Sequence, residues 1–291
     1  MVLLQQLLNG LAVGSIYSLL SLGFTLVYGV LYFMNMPHGE ILMVGTFIGY
    51  VLYASGVPFG FALILAMIAA AFVGVSVEKI AYRRLRNARR LAPLLSALGV
   101  VFALQNGAMA IWGTEIRSFP SPAFFSKIFD IYGFRIPSTI AFILGLNLFL
   151  MICLQVFFKR HPIGISIRAV SDDIETAKLM GINTNLAISV TFAVGSALAA
   201  ASGIMLAVRY GPIHPLMGFS LMLKSFAICV LGGIGNIYGA VVGSFILGIA
   251  EVIAVGYISP AYKDAIGFAV LIVTLVFLPT GIFRGRTEVR L

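Results

Sequence analysis

The chemistry available to this chain centres on His38 and Glu40, two ionisable residues inside an apolar stretch. They belong to the segment Asn-Met-Pro-His-Gly-Glu at residues 35–40, which separates apolar runs at 11–30 and 41–53. Ionisable side chains at membrane depth are costly, and they are typical of substrate and ion pathways. A His and a Glu can relay a proton or meet an ammonium group, but the sequence places no metal-ligand or triad partner beside them. The pattern therefore favours a pathway contact or a capping role over catalysis.

Pro37 and Gly39 predict a break in a membrane helix at this segment. Proline removes a backbone donor, and glycine allows conformations that other residues resist. Irregular backbone at membrane depth is tolerated where it is buried in protein or lines a cavity. The sequence therefore permits two kinds of break, a cytoplasmic turn or an unwound stretch within the membrane.

A glycine-rich segment at residues 232–239, Gly-Gly-Ile-Gly-Asn-Ile-Tyr-Gly, echoes the first break. The residues that follow the two segments are alike, with Gly-Thr-Phe-Ile-Gly at 45–49 and Gly-Ser-Phe-Ile-Leu-Gly at 243–248. Transporters place paired breaks at corresponding positions of inverted repeats. We interpret the two segments as corresponding breaks of an internal repeat. The predicted substrate pathway comprises Asn35, His38, Gly39, Glu40, Gly232, Gly233, Gly235, Asn236 and Gly239.

The composition identifies the kind of protein that carries these breaks. Of the 291 residues, 60% are hydrophobic and 10% are charged, and the mean hydropathy is +1.06. A soluble domain carries roughly 25% charged residues, and a membrane-spanning helix needs about 20 apolar residues. The apolar runs predict an all-α, polytopic membrane protein of about eight or nine transmembrane helices. A single transmembrane domain covers residues 1–291, with no room for a soluble catalytic domain.

The net charge of +9 is explained by topology and does not indicate nucleic-acid binding. Of the 19 Lys and Arg residues, six lie at 78–92, four at 159–180 and three at 284–290. Cytoplasmic loops are enriched in Lys and Arg. These three segments are therefore predicted to be cytoplasmic, and residues 114–135, rich in aromatic residues and prolines, are predicted to face outward.

The connector at residues 159–185 contains a short amphipathic helix. Ser171 is a suitable N-cap, acidic residues follow in the first turn, and Gly181 is a natural stop. A helix that rests on lipid favours Lys and Arg on its polar face, whereas this face is largely acidic, so docking on another protein is the favoured interpretation. The predicted coupling residues are Ser171, Asp172, Glu175, Ala177, Lys178, Leu179, Met180 and Gly181.

At this connector the sequence resembles a known family. Residues 169–183 are similar to the cytoplasmic coupling loop of ABC-transporter permeases, and in detail they resemble the branched-chain amino acid permeases of the LivH type. The first helix, the motif at 35–40 and the segment from Lys224 to Ala240 also resemble that family, in the same order. Met36 and Pro37 depart from the family motif, where Phe and Ala are usual.

The resemblance implies the permease subunit of a binding-protein-dependent importer in the bacterial inner membrane. Its partners would be a second homologous permease, two cytoplasmic ABC ATPases and a periplasmic substrate-binding protein, within membrane lipid. No cofactor is expected in this chain, because ATP would be bound by the partner ATPases. In agreement, the sequence lacks the Gly-x-x-x-x-Gly-Lys-Ser/Thr phosphate loop.

The sequence also predicts roles for polar residues within apolar stretches. Gln105 and Asn106 are expected to join helices by hydrogen bonding, and Lys224 is expected to extend toward the outer interface. Transport of urea, short amides or other amino acids by a related importer is an alternative, as is a secondary transporter that works without an ATPase.

Overall fold

The computed structural model describes residues 2–86, 88, 91–131, 134–278 and 280–283. The predicted basic tail at 284–290 lies outside the described residues, as do Arg89 and Arg90 of the basic loop. The described chain is mostly helical, which confirms the all-α prediction. Short strands occur in two antiparallel pairs: β1 (Arg117–Ser118) with β4 (Pro212–Ile213), and β2 (Ile128–Ile131) with β3 (Phe134–Pro137).

Most of the helices follow one another with short connections, but a longer segment with β1, β2 and β3 separates the fourth from the fifth. In chain order they are α1 (Val2–Leu31), α2 (His38–Ala54), α3 (Phe59–Val77), α4 (Leu91–Trp112), α5 (Ser138–Arg160), α6 (Pro162–Asp172), α7 (Ile174–Leu179), α8 (Thr184–Tyr210), α9 (Met217–Gly232), α10 (Ile237–Tyr257) and α11 (Lys263–Phe277). A π-helical turn, Glu78–Tyr82, and a 3-10 turn, Arg83–Leu85, extend α3. Among the described residues, six helices are long and apolar enough to cross a bilayer: α1, extended α3, α4, α5, α8 and α10.

Helix α1 is the central helix of the bundle. It packs against α5, α8, α9 and α10, and Tyr17 and Phe24 on it are fully buried. Small residues bring α10 close, because a Cβ on Gly248 would lie 2.6 Å from the Cα atom of Gly14. Close backbone approach supplies packing energy in lipid, where the hydrophobic effect between helices is absent.

The contacts along α1 define the direction of its neighbours. Gly10 meets Ile249 and Gly14 meets Gly248, so α10 runs antiparallel to α1. Gly23 meets Gly195, and Ser202 donates a hydrogen bond to the carbonyl of Ile16 at 2.8 Å, so α8 is antiparallel as well.

Aromatic side chains gather at the end of the bundle where α2 stops. Tyr53 stacks on Phe119 with ring centroids 6.0 Å apart, and Phe59 lies 5.6 Å from Phe125. The β1–β4 pair lies at the same end, between the segments that follow α4 and α8. Aromatic residues favour the membrane interface, and the basic segments lie at the opposite end, so this is the outer end of the protein.

Candidate functional site

Helix α2 begins inside the bundle, beside the middle of α1. The Nε2 atom of His38 lies 3.2 Å from the carbonyl oxygen of Leu20. Leu20 precedes the end of α1 by about three helical turns, or 16 Å along the axis. The chain therefore leaves α1 at its inner end and returns toward the middle of the membrane before α2 starts. We call residues 32–37 the re-entrant segment and α2 the re-entrant helix, because the chain turns back into the bundle there.

The sequence of this return explains its shape. Tyr32 ends α1 with a φ of 55°, in the left-handed region that is uncommon for residues other than glycine. Pro37 then occupies the N-cap position of α2 with a φ of −62°, where its fixed ring suits the start of a helix. Asn35 is buried, and its Oδ1 atom accepts a hydrogen bond of 3.2 Å from Tyr82.

Helix α9 begins opposite the start of α2. A Cβ on Gly218 would lie 2.6 Å from both the carbonyl oxygen of Gly39 and the Oε2 atom of Glu40. A Cβ on Gly39 would lie 2.8 Å from the carbonyl carbon of Gly218. Only glycine fits at these two positions, because the two backbones are in contact. We call this meeting of Gly39 with Gly218 the helix junction.

The electrostatics of the helix junction depend on Glu40. The start of a helix carries partial positive charge, and two starts that face each other repel. Glu40 is buried in the first turn of α2, and its Oε2 atom faces α9. Its Oε1 atom accepts a hydrogen bond of 2.9 Å from Gln105 of α4, so Gln105 joins helices as predicted. The prediction is wrong for Asn106, which donates to the carbonyl of Phe102 in its own helix. The carboxylate thus lies where negative charge stabilises both helix starts.

Several buried polar atoms at the helix junction have no partner among the described residues. They are the Oε2 atom of Glu40, the Nδ1 atom of His38 and the Nδ2 atom of Asn35. Buried polar atoms are nearly always hydrogen-bonded, and exceptions in native proteins call for a water, an ion or a function. The junction therefore offers both donors and acceptors at membrane depth.

The second glycine-rich segment is a turn between two helices and lies away from the junction. Gly233 and Gly235 have φ angles of 104° and 81°, and Gly232 contacts Gly239 across the turn. Asn236 caps α10, because its Oδ1 atom accepts a hydrogen bond of 3.0 Å from the backbone of Gly239. The turn lies level with the inner end of α1, where Gly235 approaches Gly29.

The sequence analysis expects residues 232–239 to correspond to residues 35–40. The structure does not pair the two segments. Both segments contain glycine, but glycine serves a tight turn in one and a crossing of backbones in the other. Gly39 instead meets Gly218, and the sequence signal for this pair is weaker. Gly-Glu-Ile-Leu-Met at 39–43 corresponds to Gly-Phe-Ser-Leu-Met at 218–222.

The coupling connector forms two helices with a sharp change of direction between them. Asp173, rather than Ser171, caps α7, and its Oδ1 atom accepts a hydrogen bond of 2.8 Å from the backbone of Thr176. Ser171 and Asp172 instead end α6, and the Ser171 hydroxyl donates to the carbonyl of Arg168. Aspartate and serine are equally good caps, so the sequence could not choose between them. Gly181 has a φ of 79° and follows the end of α7, as expected.

Helix α7 presents an apolar tip away from the protein. Leu179 is 88% exposed and Met180 is 77% exposed, whereas Ala177 is buried. Lys178 forms an exposed ion pair of 3.0 Å with Glu175. Two large apolar side chains with this exposure on a short helix are a feature of surfaces that bind another protein.

A hydrogen bond joins the connector to the re-entrant segment. The hydroxyl of Tyr32 donates to the carbonyl oxygen of Ser171 at 2.6 Å. Tyr32 ends α1, and Ser171 lies at the end of α6. The connector is therefore bonded directly to the chain that leads into the helix junction.

A buried acid at the inner end of α3 was missed by the sequence analysis. The side chain of Glu78 is 0% exposed and forms ion pairs with Arg83, at 3.0 Å, and Arg86. It also accepts a hydrogen bond of 2.7 Å from Ser189 of α8. This cluster fastens the basic loop to the first turns of α8, directly after the coupling connector. An acid at the end of an apolar run, followed by several arginines, is the signal that could have found it.

Lys224 is also placed differently from the expectation. It does not extend to the outer interface but lies buried, and it pairs with Glu251 of α10 and, at 2.8 Å, with Asp264 of α11. A charge that is partnered inside the bundle has no need to reach water. Helices α9, α10 and α11 are joined by this cluster.

Comparison with known proteins identifies the family. The family model described as "Branched-chain amino acid transport system / permease component" matches residues 6–275. The chain belongs to this family. The permease is 38% identical to the high-affinity branched-chain amino acid transport system permease protein LivH of Escherichia coli, over 98% of this chain and 96% of that protein. It is 38% identical to the corresponding protein BraD of Pseudomonas aeruginosa, over 98% and 97% of the two chains.

A solved structure shares the fold of the permease. The PsaBC complex from Streptococcus pneumoniae, solved with a Fab, contains a chain that matches 94% of the permease with a TM-score of 0.51. The match covers 91% of that chain at 12% sequence identity. The likeness concerns the fold of the helical bundle.

Proposed function

We propose that the permease is the membrane subunit of a binding-protein-dependent ABC importer that carries leucine, isoleucine and valine across the bacterial inner membrane. One observation carries the proposal: the connector with the exposed apolar end of α7, which we call the docking tip, is bonded to the segment that leads into α2. Leu179 and Met180 are exposed on α7, and Tyr32 joins the end of α6 to the segment that leads into α2. The substrate class follows the descriptions of the family and of LivH and BraD.

The arrangement of helices supports a pathway at the helix junction. Helices α1 to α4 and α8 to α11 each comprise a long helix, a short helix that begins near mid-depth, and two further helices. Since α1 and α8 run in opposite directions, we infer two inverted halves and about nine membrane helices, counting α2, α9 and α11. The halves meet at Gly39 and Gly218.

In this mechanism the residues of the helix junction meet the substrate as it passes. His38 and Glu40 supply polar groups to the ammonium and carboxylate of the amino acid, while Asn35 and Gly39 shape the backbone around them. The turn that contains Gly232, Gly233, Gly235, Asn236 and Gly239 lies at the inner end, where it would contribute to the exit. Movement of α6 and α7 would open or close the junction through Tyr32.

The partner subunits supply what this chain lacks. The sequence has no nucleotide-binding loop, so two cytoplasmic ABC ATPases would hydrolyse ATP and dock on α7. A second, homologous permease would complete the transmembrane pathway. A periplasmic binding protein would deliver the substrate and supply most of the affinity for it.

A pull-down of the tagged permease from mild detergent tests the proposal. The wild type is compared with a variant that carries Leu179→Asp and Met180→Asp. Both side chains project from the protein, so the charges should leave the fold intact and prevent docking in an apolar groove. We expect two ATPases and a sister permease to co-purify with the wild type, and the ATPases to be absent from the variant.

Two further variants sharpen this experiment. Lys127→Asp introduces the same charge on the outer side and should retain the ATPases. Ala177→Arg, at a buried position, should also lower the thermal stability of the permease, which would separate misfolding from lost docking. A wild-type permease that purifies alone, and that supports uptake without ATP, would point instead to an ion-driven transporter.

The substrate class is tested by reconstitution. Proteoliposomes that contain the complete complex and its cognate binding protein are assayed for ATP-dependent uptake of leucine, isoleucine, valine and urea. We expect uptake of the three amino acids. Uptake of urea alone would move the permease to the related urea and amide importers.

A further inference from the structure

A cavity of about 210 Å³ lies on the outer side of the permease, away from the helix junction. It forms where the start of α1, the ends of α8 and α10, and the start of α11 meet. Its walls carry an unusual number of charged and polar side chains for this protein. The residues that matter for the argument are Asn9, Arg209, Glu251 and Lys263, with Val252 and Val255 beside them.

Two cations of the cavity have no carboxylate partner among the described residues. Arg209 donates a hydrogen bond of 2.8 Å to the side chain of Asn9, and its Nε atom is buried without a partner. The ammonium of Lys263 lies 4.0 Å from the centre of the Tyr210 ring, a cation–π contact. A guanidinium with an unused, buried donor atom is matched geometrically by a carboxylate or a phosphate.

The acid in the cavity is already compensated. Glu251 pairs with Lys224 and accepts a hydrogen bond of 2.5 Å from Tyr17. Lys224 also holds Asp264. In the group formed by Arg209, Lys224, Lys263, Glu251 and Asp264, three cations face two anions. One positive charge therefore remains in the group, which favours a carboxylate beside Arg209 and Lys263, while Glu251 marks the acidic side of the cavity.

We propose that this outer cavity is an oxyanion subsite that receives the carboxylate of the amino acid as it enters from outside. Arg209 and Lys263 bind the carboxylate, Glu251 attracts the ammonium group, and Val252 and Val255 contact the apolar side chain. The proposal rests on the proposed import function and adds a first contact before the helix junction. The same chemistry would accept the phosphate of an anionic lipid, so the experiment distinguishes the two sources.

Occupation of the subsite has a route to the helix junction. Glu251 on the cavity wall pairs with Lys224, which lies on α9. Helix α9 begins at Gly218, in contact with Gly39. An ammonium group that competes for Glu251 would loosen the bond between α10 and α9. The subsite thus links the arrival of substrate to the helix whose start forms the junction.

Cysteine protection tests the subsite directly, in the complete complex with its partner subunits in phosphatidylcholine nanodiscs. Gln6→Cys places a thiol at the cavity wall, at a position with no assigned contact to the substrate, and labelling of that residue by a maleimide is quantified by mass spectrometry. We expect leucine and 4-methylpentanoate, which share a carboxylate, to slow the labelling by a factor of 1 + [L]/Kd. We expect 3-methylbutylamine, which lacks the carboxylate, to protect weakly or not at all.

Matched variants show which side chains the protection by leucine requires. Arg209→Gln and Lys263→Gln should each abolish protection by leucine, whereas Lys263→Arg and the outer-surface control Lys127→Gln should retain it. Equal protection by 3-methylbutylamine would overturn the proposal. Protection by added phosphatidylglycerol, with no protection by leucine, would also overturn the proposal, since the lipid would then be the ligand.

Two further measurements distinguish failure of the subsite from failure of the proposed import function. ATP-dependent leucine uptake and co-purification of ATPases are measured on the same Gln6→Cys complex. Uptake with no leucine protection would reject the subsite and leave the importer standing. Absence of both uptake and ATPases in the wild type would reject the import function itself.

Discussion

At the scale of single residues, the permease depends on small side chains where helices cross and on paired charges where they are buried. Gly39 and Gly218 allow two helix starts to touch at membrane depth. Glu40 supplies negative charge between them, and Gln105 satisfies one of its oxygens. Glu78 and Lys224 are each compensated by more than one partner. These features give rise to two predictions.

Gly218→Ala should destabilise the permease and stop transport. The added methyl group would lie 2.6 Å from the carbonyl oxygen of Gly39, and overpacking of this kind costs about 1–3 kcal/mol. Thermal unfolding in detergent and uptake in proteoliposomes measure the two effects. Gly107→Ala is the matched control, because nothing lies within 4 Å of that added Cβ. Equal behaviour of the two variants would contradict the close crossing.

Glu78→Gln should lower the stability of the inner end. Arg86, which is mostly buried, would lose its neutralising partner, whereas Arg83 can reach water, so we expect a loss of about 2 kcal/mol in the free energy of unfolding. Denaturant or thermal unfolding measures it. Glu175→Gln removes an acid from an exposed pair and should cost less than about 1 kcal/mol. A larger loss at Glu175 than at Glu78 would count against the cluster.

At the scale of elements, the connector and the re-entrant helix form one mechanical unit. Helices α6 and α7 lie next to α8, and Tyr32 binds the end of α6. Helices α2 and α9 are short because each begins inside the bundle. Their length is not limited by a lack of apolar residues. In the proposed mechanism, a small displacement of the connector acts on the segment that leads into the helix junction.

Tyr32→Phe should uncouple ATP hydrolysis from uptake. The variant retains the ring but loses the hydroxyl that donates to Ser171, so the connector can move without pulling on the re-entrant segment. We expect ATPase activity close to that of the wild type and less leucine carried per ATP. Tyr238→Phe, at an exposed position in the first turn of α10, should leave the ratio unchanged. A normal ratio in Tyr32→Phe would remove this bond from the mechanism.

At the scale of the whole molecule, charge and aromatic residues define two ends. The basic loop after α3, the coupling connector and the turn after α9 lie at one end, and the aromatic cluster around Phe59 and Phe119 lies at the other. The positive-inside rule assigns the first end to the cytoplasm. The docking tip of α7 and the outer cavity then lie on opposite sides of the membrane, as an importer requires.

Single cysteines report this topology in intact cells. A membrane-impermeant maleimide should label Lys127→Cys from outside, and it should label Leu179→Cys only in inverted membrane vesicles. Both residues are exposed in the structure, so access depends on the side of the membrane alone. The reversed pattern would invert the topology and place the tip of α7 outside.

The sequence by itself determined the membrane class and the family, and it singled out the segments that the proposed function uses. Mean hydropathy, the clustering of Lys and Arg, and the motifs at 35–40 and 169–183 are local properties, since each is read within one stretch of chain. The stop at Gly181 and the role of Gln105 as a bond between helices were predicted in the same way. Local propensity and the cost of burying polar groups suffice for such conclusions.

The tertiary structure alone decided which segments meet. Gly39 and Gly218 are far apart in the sequence, and a glycine that serves a crossing looks the same as a glycine that serves the turn at 232–239. Lys224 was expected to reach the interface because its partners, Glu251 and Asp264, lie on other helices. Pairing between distant helices depends on shape and charge in three dimensions, and no local pattern in one chain specifies it.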